Sequence, residues 1–250
     1  MNEERKIKYE VLETRNETEN IFTVVLKTPS GDPLSFSAGQ YINVYFPETG
    51  KPEGKSYSIS SPPGEKNFSL CVRTIGDFSK RLSSLSPGDK VTGTEPYGYF
   101  FSDSDDSPLV MIASGIGVSP FRSMILDQLK KNPGRPMRLF YGSCTLSGAV
   151  FGKEFETLAK KHPNFRLRYF ITRENPGHPL AERGRMDGKK ILSMLSFEEK
   201  GESAEKGGNG KNLNNAEFLI CGSIEFTRDL WRSLQNAGAP EENIYTEAFF

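Results

Sequence analysis

The stretch PLVMIASGIGVSPF, residues 108–121, decides the architecture of the second half of the chain. Its apolar first part predicts a buried strand, and Gly115 and Gly117 then let the backbone approach a ligand without obstruction by a Cβ. Ser119 is predicted to cap the following helix, with Pro120 in its first turn, so that free N–H groups at the helix N-terminus attract a pyrophosphate. An ordinary strand-to-helix turn is the alternative, because Pro120 stands at the third position of G-x-G-x-x-G.

The rest of this half alternates between apolar strands and amphipathic segments. This βαβ order predicts an α/β domain with a parallel sheet and helices on both faces. The predicted elements are PLVMIA, a helix from Pro120 to about Lys131, MRLFYG, a helix around Lys153 to Lys161, FRLRYFIT, the segment KKILSML, EFLICG and a helix through Phe226 to Gln235.

Residues 7 to about 100 follow a different period. Runs with alternating character, such as IFTVVLK, YINVYF and FSLCVR, are separated by turn-forming segments such as PETGKPEGK and SPGD. This spacing predicts a closed or partly closed antiparallel β-barrel. The polar run SDSDDSP separates the two patterns, so we predict a barrel domain over residues 1–104 and an α/β domain over residues 105–250.

One segment, EEKGESAEKGGNGKNLNN at residues 198–215, fits neither domain. It has almost no apolar residues, so burial cannot offset the entropy of ordering it. We predict a flexible insertion between a helix and the last core strand.

Composition limits the classes of function. Acidic and basic residues are equal in number, at 32 each, so the chain has no overall electrostatic footprint for nucleic acid or anionic lipid. Three widely spaced cysteines, Cys71, Cys144 and Cys221, form no CxxC pair, which argues against a disulfide scaffold, a zinc site and an iron–sulfur cluster. The chain starts with the charged segment MNEERKIKYE, and its longest apolar run, Leu109 to Ala113, is too short to cross a bilayer. We therefore predict a soluble, cytoplasmic protein without a membrane span. With no cysteine pair suited to a metal, we also predict no bound metal.

Three polar side chains, Lys55, Tyr57 and Ser58, are grouped in the strand-like stretch GKSYSIS, residues 54–60. Lys55 and Tyr57 share one face of a strand, while Ser58 points to the other face unless the strand bends. Such a group suits a flat, anionic ligand, because the tyrosine offers a stacking face, the serine a hydroxyl for a ring nitrogen and the lysine a charge for phosphate. Cross-strand packing is the alternative role of Tyr57.

A second anion site is predicted in RTIGDFSKRL, residues 73–82, where Gly76 and Ser79 form a turn into a short helix. With Ser79 as the N-cap, backbone N–H donors are directed at the anion. Two anion sites on either side of an aromatic platform suit a flavin dinucleotide.

The segment after the second α/β strand, FYGSCTLSG at residues 140–148, contains no Asp or Glu. An acidic residue there holds the ribose diol in the usual NAD mode, so that mode is disfavoured. Thr172 and Arg173 follow the third strand and offer a hydroxyl and a guanidinium to a 2′-phosphate, which favours NADPH. A surface arginine, or one paired with the adjacent Glu174, is the alternative.

Short motifs are distributed along nearly the whole chain, in the order AGQY (38–41), KSYS (55–58), GDFS (76–79), EPYGYF (95–100), GIGVSP (115–120), YGS (141–143), TR (172–173), CGS (221–223) and TEAFF (246–250). This ordered set resembles the ferredoxin–NADP(+) reductase superfamily, in its compact bacterial branch of FAD/NAD(P)H oxidoreductases, which includes oxygenase reductases. The motifs KSYS, GDFS and GIGVSP correspond to the family patterns R-x-Y-S, G-x-x-S and G-x-G-x-x-P. The chain departs from the family at Lys55, where the family has arginine, and at Cys144, where many NADPH-specific relatives have arginine.

The resemblance implies an oxidoreductase in which FAD takes a hydride from NADPH or NADH. Electrons then pass to a separate acceptor, such as a ferredoxin, a flavodoxin, an oxygenase component or a small oxidant. By this resemblance Ser58 approaches the flavin N5, Cys221 lies beside the hydride path, and Glu247 is a nearby polar or proton-handling partner. A buried cysteine at a strand end, without a catalytic role, is the alternative for Cys221. A flavin- and nicotinamide-binding subunit or redox-sensing module of a larger complex, without turnover of its own, is the alternative function.

The resemblance also implies which residues bind the cofactors. Phe249 or Phe250 covers the flavin, with packing between the domains as the alternative role. The implied cofactor-binding residues are Lys55, Tyr57, Ser58, Arg73, Gly76, Phe78, Ser79, Gly115, Gly117, Val118, Ser119, Pro120, Tyr141, Gly142, Thr172, Arg173, Cys221, Gly222, Ser223, Phe249 and Phe250.

Overall fold

The computed structural model describes residues 6–102, 107–203 and 215–249. The chain forms two compact units. The barrel unit consists of Met1–Phe101 and Ser119–Lys130, and the sheet unit consists of Ser102–Val118 and Lys131–Phe250. The predicted boundary near residue 104 lies outside the described residues.

The described part of the barrel unit contains an antiparallel sheet, which confirms the prediction from the alternating runs. Its first elements are β1 Ile7–Thr18, β2 Ile21–Lys27, β3 Tyr41–Phe46, β4 Lys51–Ser58, β5 Phe68–Arg73, α1 Asp77–Ser83 and β6 Lys90–Gly93. The strand order is β4-β3-β6-β1-β2-β5, and a bridge between Ile59 and Leu70 joins the two ends of the sheet. Tyr9, Phe22 and Phe68 are among the buried side chains that fill the interior, as closure into a small barrel requires.

β4 begins earlier than the sequence predicts. The segment KPEG, residues 51–54, has the composition of a turn, but in the structure it forms the first half of β4. It pairs with β3 across a register shift between Val44 and Phe46, and Gly54 adopts φ +75° against the ring of Tyr45. β4 lies at the end of the sheet order, where a proline is tolerated because it removes no essential ladder hydrogen bond.

The sheet unit contains parallel strands that alternate with helices, which confirms the predicted α/β fold. The elements are β7 Leu109–Ser114, α2 Ser119–Lys131, β8 Met137–Ser143, α3 Gly152–Lys161, β9 Phe165–Ile171, β10 Ala181–Arg183, α4 Gly188–Ser203, β11 Glu217–Ser223, α5 Ile224–Asn236 and β12 Ile244–Phe249, with α2 in the barrel unit up to Lys130. Tyr169 donates to the carbonyl of Gly152 in α3 (3.0 Å), whereas Phe170 packs with Ile191 of α4 and Leu230 of α5. Neighbouring strand residues point to opposite faces, so helices cover both faces of the sheet.

The order of the parallel strands reverses at β7. The sheet order is β10-β9-β8-β7-β11-β12, so β8 to β10 extend it on one side of β7, and β11 and β12 extend it on the other. The carboxyl ends of β7 and β11 are therefore neighbours at the point of reversal. Open α/β sheets bind ligands at such a point.

The helix α4 reaches into the segment that the sequence assigns to an insertion. It continues to Ser203, so residues 198–203 are helical, and residues 204–214 lie outside the described residues. In the described ranges, no helix combines the length and the apolar character needed to cross a membrane.

A buried ion pair joins segments at the amino ends of the central strands of the sheet unit. The Arg135 guanidinium is fully buried and lies 3.0 Å from the carboxylate of Glu217. Ser102 donates to the same carboxylate, and Arg135 also donates to the Ser102 hydroxyl (2.7 Å) and the Ser107 carbonyl (2.8 Å). Separation of the two charges would leave a buried charge uncompensated, which is strongly destabilising. The pair therefore holds together two segments that are 82 residues apart in the sequence.

Candidate functional site

Lys55 and Tyr57 share a face of β4, as predicted, and both contact Phe78 of α1. The half-buried ring of Tyr57 is stacked on that of Phe78, with 6.3 Å between the ring centroids and 29° between the planes. The Lys55 ammonium lies 5.9 Å from the centre of the same ring. Burial raises the pKa of the Tyr57 hydroxyl, so this phenol stays protonated at neutral pH.

Ser58, at the end of β4, carries a buried hydroxyl. The residue is 5% exposed, and its Oγ has no hydrogen-bond partner among the described residues. The Nε of Arg73, at the end of β5, is also buried without a partner in the described part of the chain. An unsatisfied buried polar atom costs about 1–3 kcal/mol, so both atoms fit a ligand that supplies hydrogen-bonding groups. FAD fits this requirement, because its ring system offers donors and acceptors and its pyrophosphate attracts a guanidinium.

The turn at Gly76 and Ser79 differs from the prediction. Gly76, rather than Ser79, is the N-cap of α1, and Ser79 is the third helical residue. The Ser79 hydroxyl reaches back to accept from the N–H groups of Ile75 (2.9 Å) and Gly76 (3.2 Å), and it donates to the Gly76 carbonyl (3.0 Å). Ser79 therefore has the role of the N3 side chain in a capping box. The assignment of this turn to the FAD pyrophosphate stays a prediction.

The glycine loop of the sheet unit forms a 3₁₀ turn, Gly115–Val118, directly after β7. Gly115 has φ +54°, a conformation that glycine adopts without strain. Gly117 lies against the end of β11, because a Cβ at position 117 would come within 2.3 Å of the carbonyl oxygen of Cys221. The GIGVSP and CGS motifs are thus in backbone contact where the strand order reverses.

The CGS motif ends β11 and begins α5. Ser223 is the N-cap of α5 and accepts a hydrogen bond from the N–H of Phe226 (3.4 Å). Gly222 has no room for a side chain, since a Cβ there would come within 2.7 Å of the Phe226 ring and 3.1 Å of the Cβ of Ser114. The positive end of the α5 dipole therefore lies at the same sheet edge as the glycine loop, which suits an anionic nucleotide.

Cys221 and Glu247 are paired across β11 and β12. Cys221 is fully buried, and burial, with a smaller contribution from the Glu247 carboxylate, raises the pKa of its thiol well above the ordinary value. The thiol is therefore uncharged at neutral pH, which excludes a thiolate nucleophile. The catalytic roles of Cys221 and Glu247 stay predictions.

Thr172 and Arg173 lie beside the loop that follows β8. Their N–H groups donate to the carbonyls of Ser143 (3.1 Å) and Cys144 (2.9 Å). The carboxylate of Glu174 accepts from a backbone N–H of the same loop (2.7 Å). Arg173 is exposed and makes no ion pair with a described residue, so it is not paired with Glu174. The assignment of Arg173 to a 2′-phosphate, against a surface arginine, stays a prediction.

The helix after the glycine loop begins one residue earlier than predicted. α2 starts at Ser119, with Pro120 in its first turn, but the Ser119 hydroxyl does not cap the helix. It is buried and donates to the carbonyl of Cys71 in β5 (3.3 Å). Two further α2 side chains, Arg122 and Ser123, also donate to backbone carbonyls of the barrel unit. Sequence reasoning missed both, since neither belongs to a motif with a stated chemistry.

The remaining predicted residues are distributed along the sheet unit. Val118 is buried in the 3₁₀ turn, and Tyr141 is fully buried in β8 with its ring centroid 6.0 Å from that of Tyr169. A Cβ at Gly142 would come within 2.9 Å of the Cε of Met186. Phe249 is half-buried at the end of β12, and Phe250 lies outside the described residues.

Two protein-family models match the chain. An oxidoreductase FAD-binding domain matches residues 8–101, and an oxidoreductase NAD-binding domain matches residues 111–231. A curated relative from Klebsiella pneumoniae, one of the subunits of its Na(+)-translocating NADH-quinone reductase, is 27% identical over an alignment that covers 98% of this chain and 68% of the relative.

Solved structures with the same fold have lower sequence identity. A flavohemoglobin from Malassezia yamatoensis with bound FAD and heme has a TM-score of 0.79 at 20% identity, over 98% of this chain and 60% of that one. This chain therefore spans less than two thirds of the flavohemoglobin. A ferredoxin NADP+ reductase from Neisseria gonorrhoeae with bound FAD and NADP has a TM-score of 0.78 at 21% identity, over 99% and 100% of the two chains.

The two units and their matches define a class of protein: a flavoprotein oxidoreductase with an FAD-binding barrel and an NAD-binding α/β domain. This class agrees with the orphaned polar atoms at the ends of β4 and β5 and with the glycine loop at the strand reversal. The chain belongs to the ferredoxin–NADP(+) reductase superfamily, as its motifs indicated.

Proposed function

We propose that the chain is an FAD-dependent oxidoreductase that takes a hydride from NADPH or NADH and passes electrons to a separate acceptor, such as a ferredoxin, a flavodoxin or an oxygenase component. The observation that carries the proposal is the buried Ser58 hydroxyl, unpartnered in the described part of the chain, next to the half-buried ring of Tyr57. Buried polar groups in folded proteins are nearly always paired, so a ligand that completes this hydroxyl explains its position.

The barrel unit provides the groups that FAD requires. When bound, FAD supplies chemistry that side chains lack, because it accepts two electrons together and releases them singly. Tyr57 provides a ring face and Ser58 a hydrogen bond to the ring. Arg73 and Lys55 neutralise the pyrophosphate, and Lys55 does so as a point charge, because it lacks the planar fork of the family arginine.

The sheet unit provides the site for the nicotinamide nucleotide. The loop Gly115–Val118 and the N-terminus of α5, capped by Ser223, hold the diphosphate. Thr172 and Arg173 bind a 2′-phosphate, because the exposed guanidinium has no ionic partner among the described residues and can form two parallel hydrogen bonds to phosphate. We therefore infer a preference for NADPH over NADH.

Cys221 acts in this proposal as an uncharged thiol beside the reacting nicotinamide. Its raised pKa prevents thiolate formation at neutral pH, so it orients the nucleotide and does not attack it. Glu247, paired with Cys221 across the strands, is assigned as a polar or proton-handling partner of the reaction. Ser58 is the third residue assigned to the reaction, through its contact with the flavin ring.

Anaerobic titration of the purified chain with NADPH and NADH in parallel tests the proposal. We expect a yellow protein whose flavin absorbance is bleached by either nucleotide, with NADPH effective at the lower concentration. A colourless chain that refuses both FAD and FMN contradicts the proposal.

A second candidate function is that of a flavin- and nicotinamide-binding subunit in a larger complex. It is favoured by the similarity to a protein whose name makes it a subunit of an NADH-quinone reductase, with 68% of that protein covered. Steady-state reduction of an artificial one-electron acceptor distinguishes the two functions. Rapid turnover by the isolated chain supports an independent reductase, whereas flavin reduction without turnover supports the role in a complex.

A further inference from the structure

Side chains of α2 form hydrogen bonds to the segment that follows β4, the strand that carries Tyr57 and Ser58. Arg122 donates from its guanidinium to the carbonyl of Ser60 (2.9 Å), and the buried hydroxyl of Ser123 donates to the carbonyl of Ser61 (2.7 Å). Ser60 and Ser61 follow Ser58 by two and three residues, so the two bonds fix the backbone directly after the Ser58 hydroxyl.

The same helix is also bonded to the strand that meets β4 at this end of the barrel. Ser119 donates to the carbonyl of Cys71 in β5 (3.3 Å). Ser60 is in turn joined to Ser69 of β5, by a backbone hydrogen bond of 2.8 Å and by a contact of 2.8 Å between the two hydroxyls. The ends of β4 and β5, which carry Ser58 and Arg73, are therefore both held by hydrogen bonds that lead to α2.

Close packing leaves α2 little freedom to shift along the barrel. A Cβ at Gly39 would come within 1.9 Å of the Phe100 carbonyl and 2.5 Å of the Cε of Met124 in α2. The AGQY segment can therefore pack against α2 only because residue 39 is glycine. The rings of Phe100 and Phe121 lie 5.8 Å apart at their centroids. At its N-terminus the helix is covalently continuous with the loop Gly115–Val118.

We propose that Arg122 and Ser123 are positioning residues that couple occupation of the glycine loop to the geometry of Ser58. A diphosphate on Gly115–Val118 restrains the N-terminus of α2, and the two side chains transmit that restraint to the carbonyls of Ser60 and Ser61. Binding of the nucleotide would therefore adjust the position of the Ser58 hydroxyl, which the proposed function assigns to the flavin ring. The inference rests on the proposed function, since it takes Ser58 as a flavin contact and the loop as a diphosphate site.

ADP-ribose and its 2′-phosphorylated form are suitable probes, because they carry the diphosphate but no nicotinamide ring that could stack on a flavin. In the unaltered chain we expect the probe to change the visible flavin spectrum and to tighten FAD binding by about fivefold or more, the lower end of usual coupling between two sites. In Arg122→Ala and in Ser123→Ala we expect each ligand to bind alone, while the coupling factor falls to about one, its value for independent sites. Arg122→Lys, which keeps one donor, retains part of the coupling.

Lys130→Ala is the matched control, since it removes an exposed cation from the same helix, and it should leave the coupling unchanged. Thermal unfolding of each variant confirms that it is folded. Full coupling in folded Arg122→Ala and Ser123→Ala overturns the inference, as does an unaltered chain that binds FAD and probe without any coupling. A chain that binds no FAD, or whose flavin neither NADPH nor NADH reduces, contradicts the proposed function instead, and the anaerobic titration detects that case separately.

Discussion

Gly117 lies in contact with the backbone of Cys221: a Cβ at position 117 would come within 2.3 Å of the Cys221 carbonyl oxygen and 2.8 Å of the Cα of Gly222. The neighbouring atoms are backbone, so they cannot yield as a flexible side chain can. We expect Gly117→Ala to displace the loop Gly115–Val118 and to cost about 1–3 kcal/mol of stability, as overpacking does. Displacement of the loop relieves the strain in the free chain, and binding of ADP-ribose has to restore it. Restoring about 1.4 kcal/mol corresponds to a tenfold loss, so affinity for ADP-ribose should fall about tenfold or more.

Gly134→Ala is the control for this substitution, because no heavy atom of a described residue, apart from the chain neighbours, lies within 4 Å of a Cβ built at position 134. It should leave both stability and binding unchanged. Isothermal titration and thermal unfolding measure the two effects, and FAD content should be normal in both variants. Unaltered ADP-ribose affinity in Gly117→Ala would show that the loop is not the diphosphate site.

The unpartnered hydroxyl of Ser58 leads to two expectations of opposite sign. In the absence of FAD, Ser58→Ala removes a buried polar atom that has no partner among the described residues, so stability should stay the same or rise. In the presence of FAD the same substitution removes a hydrogen bond, so affinity for FAD should fall by about 1 kcal/mol, or roughly fivefold. Chemical denaturation of the FAD-free chain and titration with FAD measure the two quantities.

Ser60→Ala provides the contrast. Its buried hydroxyl contacts that of Ser69 (2.8 Å) and donates to the Ser69 carbonyl (3.1 Å). Its loss should therefore destabilise the FAD-free chain by about 1 kcal/mol. Equal destabilisation of the FAD-free chain by both substitutions would remove the argument that Ser58 awaits a ligand.

The predictions from sequence succeeded where local pattern decides the structure. β3 and β5 have the bounds of the runs YINVYF and FSLCVR, because aromatic and β-branched residues bounded by turn-forming segments predict a strand. The glycine loop and the following helix were predicted from the residues of one short stretch. The first half of β4 was missed because KPEG has the composition of a turn, and only its pairing with β3 makes it a strand.

Contacts between distant residues could not be predicted in the same way. The bond from Arg122 to Ser60 joins residues 62 apart in the sequence, and the pair Arg135–Glu217 joins residues 82 apart. Nothing in the neighbourhood of either arginine specifies its partner. Ser79 was misassigned for a local reason: serine favours the N-cap, but Gly76 takes that position and the Ser79 hydroxyl accepts from the Gly76 N–H.

The ring of Tyr57, rather than its hydroxyl, should determine FAD binding. Tyr57→Phe keeps the face that stacks near Phe78, so FAD affinity should change little. Tyr57→Ala removes the face and should weaken FAD binding by about 1 kcal/mol or more, the usual contribution of an aromatic contact. Tyr99→Ala is the control, because Tyr99 is 92% exposed in the barrel unit. The assignment is wrong if Tyr57→Ala leaves FAD affinity and the flavin spectrum unaltered.

Arg173 should distinguish the two nicotinamide nucleotides. Arg173→Ala should raise KM for NADPH by about 10- to 100-fold, which corresponds to one hydrogen bond between charged groups, and should leave KM for NADH nearly constant. Arg228→Ala, which removes an exposed guanidinium paired with Asp229 on α5, should affect neither value. Steady-state kinetics with both nucleotides provides the measurement. Equal increases for NADPH and NADH would cancel the 2′-phosphate assignment.

The two buried thiols should make the fold sensitive to alkaline pH. Burial raises the pKa of Cys71 from 9.0 to about 12 and that of Cys221 well above 9.0, so the folded chain holds both protons more tightly than the unfolded chain. Their contribution to stability is therefore complete below about pH 9 and is lost as the pH rises toward the folded pKa, at about 1.4 kcal/mol per pH unit for each thiol.

Chemical denaturation between about pH 8 and 10 measures the slope of the unfolding free energy against pH. This range lies below the one in which buried tyrosines add to the slope. Cys71→Ala and Cys221→Ala should each flatten the slope, whereas Cys144→Ala, at an exposed position, should not. Identical slopes in all variants would show that neither thiol carries a raised pKa in the folded chain.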